Sequence, residues 1–261
     1  MKEFRPQTVA AINAVRDALA LATRGTGKVH TKLGRDIVTD SDIAVEDHIR
    51  ASLTAVFEWP VVGEERGGEP PTGTPYWLVD PICGTRNFAS GLPLFAVNTA
   101  LVEEGRVTAS VVGDGLSGDL LVTEAGSGAW RVHGQETTRL STSVSSLVVN
   151  LGGWPKAGSA RNGAALALAR VIAADTWDIR CLATTLALGY VATGQFAGCV
   201  LFSTPDPVHF AAGSLLVVEA GGCATDAEGR PWVPGAGSLV CGANEVFQAD
   251  LLSIIAPGSP H

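Results

Sequence analysis

The chain has 261 residues, of which 46% are hydrophobic and 17% are charged, and its mean hydropathy is +0.24. These values exclude a disordered protein and predict a globular fold with a large core. The 18 Lys and Arg residues against 26 Asp and Glu residues give a formal net charge of −8. Nucleic acids and membranes are therefore not expected as partners, because both attract basic surfaces.

The predicted elements of the first half indicate an α+β arrangement. The start of the chain has the three- and four-residue spacing of an amphipathic helix, interrupted by Arg16 and Asp17, which is unlike a signal peptide. A second helix is predicted over 42–57, followed by short strands at 60–63 and 76–81. The β-rich segments between 95 and 124, separated by glycine-containing turns, predict an antiparallel meander.

The second half, from about residue 141, alternates apolar strand-like and helix-like segments. This pattern predicts an α/β sheet covered by helices on its faces. We therefore expect two halves, 1–140 and 141–261, that share one continuous interface. The cysteines are odd in number and form no C-x-x-C pair, which is typical of a cytoplasmic protein. They are Cys83, Cys181, Cys199, Cys223 and Cys241.

Four polar clusters stand at the ends of predicted elements, where α/β folds collect ligand groups. Each also has a structural explanation, since helix-start charges, solvated loop charges and an Asx turn would give the same residues. Their joint occurrence raises the expectation of a functional site. The clusters are VTDSD with Glu46, GEE at 63–65, VDPICGT at 79–85, and DPVHFAAGSLLVVEAGG at 206–222.

These motifs, in this order, resemble the inositol monophosphatase family of magnesium-dependent, lithium-sensitive sugar phosphatases. The matching pieces are Lys32 with DIVT at 36–39 and Asp42, GEE at 63–65, WLVDPI-x-GT-x-NF at 77–88, AAG at 211–213 and EAGG at 219–222. The resemblance implies a layered α-β-α-β-α sandwich, commonly a homodimer. It also implies that carboxylates hold up to three metal ions around a small phosphorylated substrate, where the metals polarise phosphate and activate water.

Residue by residue, the resemblance implies that Glu64, Asp80 and the carbonyl of Ile82 bind the first Mg²⁺, because hard oxygen donors suit this ion. Asp42 and Glu64 match the ligands of a loosely held third metal. Thr85 matches the hydroxyl that orients the attacking water, so the implied catalytic set is Asp42, Glu64 and Thr85. The implied substrate contacts are Gly84, Thr85, Arg86 and Thr184, with backbone N–H groups near Gly84 receiving the phosphate.

Two departures from the family pattern affect the second metal. Cys83 and His209 stand where the family has Asp residues. A thiol and an imidazole are poor ligands for Mg²⁺, so three consequences stay open. In the first, Cys83 and His209 bind a softer ion such as Zn²⁺ or Mn²⁺ together with Asp80. In the second, Arg86 supplies the missing positive charge. In the third, the hydrolytic chemistry has been lost. Cys83 could equally be a small buried thiol, and His209 a polar residue at a helix start.

Further alternatives concern neighbouring residues. Asp206 could reach the second metal site, although its position before Pro207 favours an N-cap. Cys83 could be a nucleophile activated by His209, provided that the two side chains are hydrogen-bonded. Phe202 stands where inositol-specific members have a sugar-binding Glu, and Ala183-Thr184 replaces their Gly-Ser. These changes disfavour myo-inositol phosphate as the substrate.

The sequence thus leads to two hypotheses. The first is a diverged, metal-dependent phosphomonoesterase that acts on a small phosphorylated metabolite. The second is a repurposed family member that binds a ligand without hydrolysing it or performs another reaction in the same pocket.

Overall fold

The computed structural model of the protein describes residues 2–32, 36–143, 146–153, 158–203 and 206–256. Its helices within these ranges are α1 (Pro6–Ala22), α2 (Asp40–Thr54), α3 (Thr85–Ala89), α4 (Gly158–Ala173), α5 (Leu186–Ala192), α6 (Val208–Glu219) and α7 (Glu245–Ile255). None of them has the length and apolar character that a membrane span requires.

The strands are β1 (Val29–Thr31), β2 (Ile37–Thr39), β3 (Val61–Gly63), β4 (Tyr76–Cys83), β5 (Ala96–Glu103), β6 (Arg106–Asp114), β7 (Leu120–Glu124), β8 (Ala129–His133), β9 (Glu136–Arg139), β10 (Val148–Gly152), β11 (Asp178–Arg180), β12 (Gly198–Phe202), β13 (Cys223–Thr225) and β14 (Ser238–Gly242). A small hairpin joins β1 and β2.

A seven-stranded sheet has the order β3-β4-β5-β6-β7-β8-β9. Strand β3 runs parallel to β4, and all later neighbours are antiparallel. The predicted meander between 95 and 124 is confirmed, and it continues through β8 and β9. Because β3 and β4 are parallel, the residues that follow β3 and those near the end of β4 meet at one edge of the sheet.

A five-stranded sheet has the order β11-β10-β12-β14-β13. Strand β10 is parallel to both of its neighbours, whereas β14 is antiparallel to both β12 and β13. The prediction of a sheet covered by helices in the second half is confirmed, and the sheet is mixed in direction.

The layers follow from the three core clusters. Helices α1 and α2 pack against one face of the seven-stranded sheet. Helices α5 and α6 fill the space between the two sheets, and α4 and α7 cover the outer face of the five-stranded sheet. The resulting α-β-α-β-α sandwich confirms the predicted fold class. A boundary near residue 140 stays a prediction, since the central cluster takes residues from both sheets.

Helix α2 begins two residues earlier and ends three residues earlier than the predicted 42–57. Its N-cap is Thr39, whose side chain accepts a hydrogen bond from the N–H of Asp42 while the Asp42 carboxylate accepts from the N–H of Thr39. This reciprocal capping box satisfies helix-start donors and fixes the first turn. Asp42 therefore does have the structural function of a helix-start charge, in addition to its place in the candidate site.

Candidate active site

Glu64 and Asp80 lie next to each other because of the parallel pairing of β3 with β4. Gly63 is in register with Val79. The residues that follow these two, Glu64 and Asp80, are therefore also neighbours. The N–H of Glu64 continues the ladder by donating to the carbonyl of Val79 at 3.1 Å. Asp80 is fully buried. Two carboxylates are thus brought to one edge of the sheet, as the motif spacing predicts.

Asp42 and Thr85 join this edge from the starts of α2 and α3. The Thr85 hydroxyl lies 3.0 Å from Oδ1 of Asp42 and 3.1 Å from the carbonyl oxygen of Ile82. Asp42 is fully buried, and burial raises the pKa of its carboxyl although hydrogen bonds from Thr39 and Thr85 oppose the effect. The hydroxyl, the carboxylate and the carbonyl therefore form one connected group.

Glu46, which the sequence suggested only as a helix-start charge, holds the turn that carries Glu64. Its buried carboxylate accepts the N–H of Glu65 at 2.7 Å and the N–H of Arg66 at 3.0 Å, and it pairs with Arg50 at 2.8 Å. A Cβ at Gly63 would lie 2.0 Å from Oε1 of Glu46, so glycine is required for this close approach. The four-residue spacing between Asp42 and Glu46 is the signal that could have placed both on one helix face.

Replacing Glu46 by Gln is expected to destabilise the fold by about 2 kcal/mol. The amide nitrogen of Gln is a donor, so it cannot accept the hydrogen bond from a backbone N–H that a carboxylate oxygen of Glu46 accepts. For a protein of this size, that loss lowers the melting temperature by roughly 4–8 °C. Thermal unfolding followed by circular dichroism measures it. The exposed Glu58→Gln variant is the matched control and should unfold like the wild type. Equal melting temperatures for the two variants would show that Glu46 does not hold the turn.

The carboxylates share few positive charges among the described residues. Lys32 extends its ammonium toward both acids of the GEE motif, 3.4 Å from Oε1 of Glu64, and it donates to Glu65. Burial and then the charge of Asp80 nevertheless raise the pKa of Glu64 to about 8. Burial of the carboxyl is the larger cause, and the charges of His209 and Lys32 oppose the rise.

A bulge in β4 precedes Cys83, one of the residues predicted at the second metal position. The pairing of β4 with β5 shifts register between Asp80 and Cys83, so Cys83 is not on the strand's regular alternation. The ligand atoms of Asp80, Cys83 and His209 all lie within 4.8 Å of one another. Oδ1 of Asp80 is buried and has no hydrogen-bond partner among the described residues. The two residues that depart from the family pattern are thus brought together with Asp80.

His209 is the second residue of α6, and its ring is directed at the carboxylates. Nδ1 lies 3.0 Å from Oδ2 of Asp80 and 4.0 Å from Oε2 of Glu64. Burial by itself lowers the pKa of His209, but the hydrogen bond and charge of Asp80, together with the charge of Glu64, outweigh it and raise the pKa to about 10. The ring is therefore held by a hydrogen bond to the Asp80 carboxylate.

The thiol of Cys83 is held by the segment before α5. Its Sγ accepts the N–H of Thr185 at 3.2 Å, and its carbonyl accepts the Thr184 hydroxyl at 2.7 Å. Burial, followed by the charge of Asp80, raises the pKa of Cys83 well above the usual value. The hydrogen bond to His209 that a nucleophilic cysteine needs is not among those of the described residues, where His209 pairs with Asp80. The interpretation of Cys83 as an activated nucleophile is therefore not supported.

The residues predicted to contact the substrate have different environments in the structure. Gly84 has φ +106°, and a Cβ there would approach the Leu94 carbonyl and Thr184 to 3.0 Å, so only glycine fits before α3. Arg86 is exposed beside it. The Thr184 hydroxyl is engaged with Cys83 and with the N–H of Leu186. A role of Thr184 in substrate binding stays a prediction, whereas its hydrogen bond to the Cys83 carbonyl is present in the structure.

Asp206 and Phe202 lie outside the carboxylate cluster. Oδ1 of Asp206 accepts the N–H of Val208 at 2.8 Å, but the N-cap of α6 is Pro207, so the predicted N-cap assignment of Asp206 is wrong by one residue. Asp206 does not join the group of ligand atoms formed by Asp80, Cys83 and His209. Phe202 packs with the cluster beneath α4 and α7 and lines a cavity of about 760 Å³ there. It therefore presents an apolar side chain to that cavity.

Comparison with known proteins agrees with the ordered motifs and the sandwich. Residues 3–257 match the model of the inositol monophosphatase family. The chain belongs to this family. It is 35% identical over 229 residues to a protein of Rhizobium meliloti named inositol-1-monophosphatase, covering 85% of this chain and 84% of the relative. It is also 32% identical to a protein of Pseudomonas aeruginosa named Nus factor SuhB, covering 98% of both chains.

Solved structures of the family superpose on nearly the whole chain. The extragenic suppressor protein SuhB of Bartonella henselae is 28% identical, with a TM-score of 0.84 over 97% of this chain and all of the other. The inositol monophosphatase of Thermotoga maritima is 26% identical, with a TM-score of 0.79 over 94% of each chain. The family fold is therefore retained despite the replacements at Cys83 and His209.

Proposed function

We propose that the protein is a metal-dependent phosphomonoesterase that acts on a small phosphorylated metabolite other than myo-inositol phosphate. The observation that supports this most is the meeting of Asp42, Thr85, Glu64 and Asp80 at one edge of the large sheet. These residues come from three separate motifs, and three of the four side chains are carboxylates. A homodimeric state, which the family resemblance implies, and a cytoplasmic location, which the cysteine pattern predicts, are part of the same proposal.

The residues present fit a magnesium ion at the first site. Glu64, Asp80 and the carbonyl of Ile82 supply hard oxygen donors, and the buried Oδ1 of Asp80 is otherwise without a partner among the described residues. Asp42 would assist Glu64 at a more weakly held position. When bound, such an ion polarises the phosphoryl oxygens and lowers the pKa of water.

The chain's own residues would orient the reactants. The Thr85 hydroxyl has a single proton, which it can donate to Asp42 or to the carbonyl of Ile82. Its lone pairs are then free to accept a hydrogen bond from the attacking water, with Asp42 held in place by the capping box. Backbone N–H groups at Gly84 to Arg86, together with the exposed Arg86 guanidinium, would bind the phosphate.

The proposal is tested by measuring phosphate release from a panel of sugar, polyol, nucleoside and aryl monophosphates in Mg²⁺, Mn²⁺ and Zn²⁺. We expect metal-dependent turnover with at least one substrate that is not an inositol phosphate. Removal of the metal by a chelator should abolish it, and re-addition should restore it.

The alternative function is ligand binding without hydrolysis, which the replacements at Cys83 and His209 favour. In that case the same compounds would raise the melting temperature without releasing phosphate in any of the three ions. That result would overturn the phosphatase proposal and leave the family assignment intact.

A further inference from the structure

The second metal position has a donor set that differs in kind from the first. It consists of one carboxylate, one thiol and one imidazole, from Asp80, Cys83 and His209. Mg²⁺ binds such sulfur and nitrogen donors poorly, whereas Zn²⁺ takes all three donor types and prefers four ligands in a tetrahedral arrangement. We infer that Asp80, Cys83 and His209 form a zinc site with its fourth position open.

The distances are close to those that a tetrahedral zinc ion needs. With zinc bonds of 2.0–2.3 Å, two ligand atoms of one ion lie about 3.3–3.6 Å apart. Nδ1 of His209 and Oδ2 of Asp80 are already 3.0 Å apart, joined by a hydrogen bond. The full set spans no more than 4.8 Å. An ion that replaces the hydrogen bond would therefore draw the more distant ligand atoms together by about 1 Å.

Surrounding groups hold two of the three ligands in place. The N–H of Thr185 donates to the sulfur of Cys83 at 3.2 Å, which fixes the position of the sulfur. The Thr184 hydroxyl fixes the Cys83 carbonyl. Asp80 is fully buried in β4, with its Oδ1 directed at no protein donor among the described residues. Such outer contacts orient metal ligands and tune the affinity of a site.

The site also has an opening to solvent and a connection to the first metal position. The side chain of His209 is 27% exposed, which provides a route for the ion. Because Asp80 has two oxygens with different surroundings, Oδ2 can serve the zinc site while Oδ1 serves the first site. Three protein ligands with an open fourth position are typical of catalytic zinc. A phosphate oxygen or a water molecule would fit that open position.

Cobalt(II) tests the site without any activity measurement, so the result does not depend on the phosphatase proposal. Full-length protein freed of metal is titrated with Co²⁺, which takes the place of zinc and reports its ligands by absorption. We expect a thiolate-to-cobalt charge-transfer band in the near ultraviolet at one equivalent, followed by its loss when Zn²⁺ is added. Zn²⁺ should also raise the melting temperature more than the same concentration of Mg²⁺.

Variants decide which residues bind the ion. Cys83→Ser should lose the charge-transfer band, and His209→Asn should retain the band with at least tenfold weaker cobalt binding. Cys181→Ser is the matched control, since Cys181 is an exposed free cysteine, and it should behave like the wild type. His209 is partly exposed at the start of α6, so its variant tests the site even where Cys83→Ser is unstable. Absence of the band in the wild type, its persistence in Cys83→Ser, or unchanged affinity in His209→Asn would overturn the inference.

Discussion

Replacing Asp80 by Asn is expected to lower kcat/KM for a phosphomonoester at least 100-fold, which corresponds to about 2.7 kcal/mol of lost transition-state stabilisation. Asp80 is the residue that both proposed metal positions share. Its Oδ2 faces His209, and its Oδ1 is buried without a partner among the described residues. An amide keeps the size of the side chain but removes the charge and one acceptor oxygen. Metal-dependent substrate turnover should therefore fall far more than stability.

The matched control for this variant is Asp119→Asn. Asp119 forms surface ion pairs with Arg131 and His133 on the seven-stranded sheet, away from the carboxylate cluster. Both variants are compared with the wild type by steady-state kinetics and by melting temperature. Full activity of a folded Asp80→Asn protein would contradict the proposed site, since neither metal position could then depend on this carboxylate.

Restoring the two family carboxylates, by Cys83→Asp and His209→Asp together, is expected to raise Mg²⁺-dependent phosphate release at least tenfold. The physical reason is donor hardness, because the second position would then offer three carboxylates in place of a thiol, an imidazole and one carboxylate. The additional negative charges also favour a second magnesium ion beside Glu64. Activity that depends on zinc should fall in the same variant.

The control for the double variant is Cys83→Asn with His209→Asn, which has the same side-chain sizes without the charge. Steady-state assays in Mg²⁺ and in Zn²⁺ compare the three proteins. Equal magnesium-dependent rates in the wild type and the double Asp variant would show that Cys83 and His209 do not exclude magnesium chemistry. A gain in the Asn pair as large as in the Asp pair would show that charge at these positions is unimportant.

The relationship to SuhB proteins does not by itself extend the proposed function. The name Nus factor belongs to the relative in Pseudomonas aeruginosa, and the net charge of −8 gives this chain no excess of basic residues for nucleic acid. The departures from the family pattern that the sequence predicts are at Cys83 and His209, within the candidate site. The experiments above therefore concentrate on metal identity and on hydrolysis.

The sequence by itself determined the family and the layered fold, and it supplied the predicted residues of the site. Hydrophobic alternation predicted the meander, and the ordered motifs predicted that Asp42, Glu64, Asp80 and Thr85 share a site. The replacements at Cys83 and His209 could also be recognised from position alone. These features are local in the chain or carried by spacing, so they can be seen without coordinates.

Only the tertiary structure decided which side chains meet. His209 lies 129 residues after Asp80, and the two contact each other only because α6 packs between the sheets. The same holds for Thr185, which donates to the sulfur of Cys83, and for Glu46, whose carboxylate holds the turn of Glu64 across 19 residues. Hydrogen bonds and metal geometry require atoms within a few ångströms. Contacts this short between segments far apart in the chain are set by tertiary packing, which the spacing of residues along the sequence does not specify.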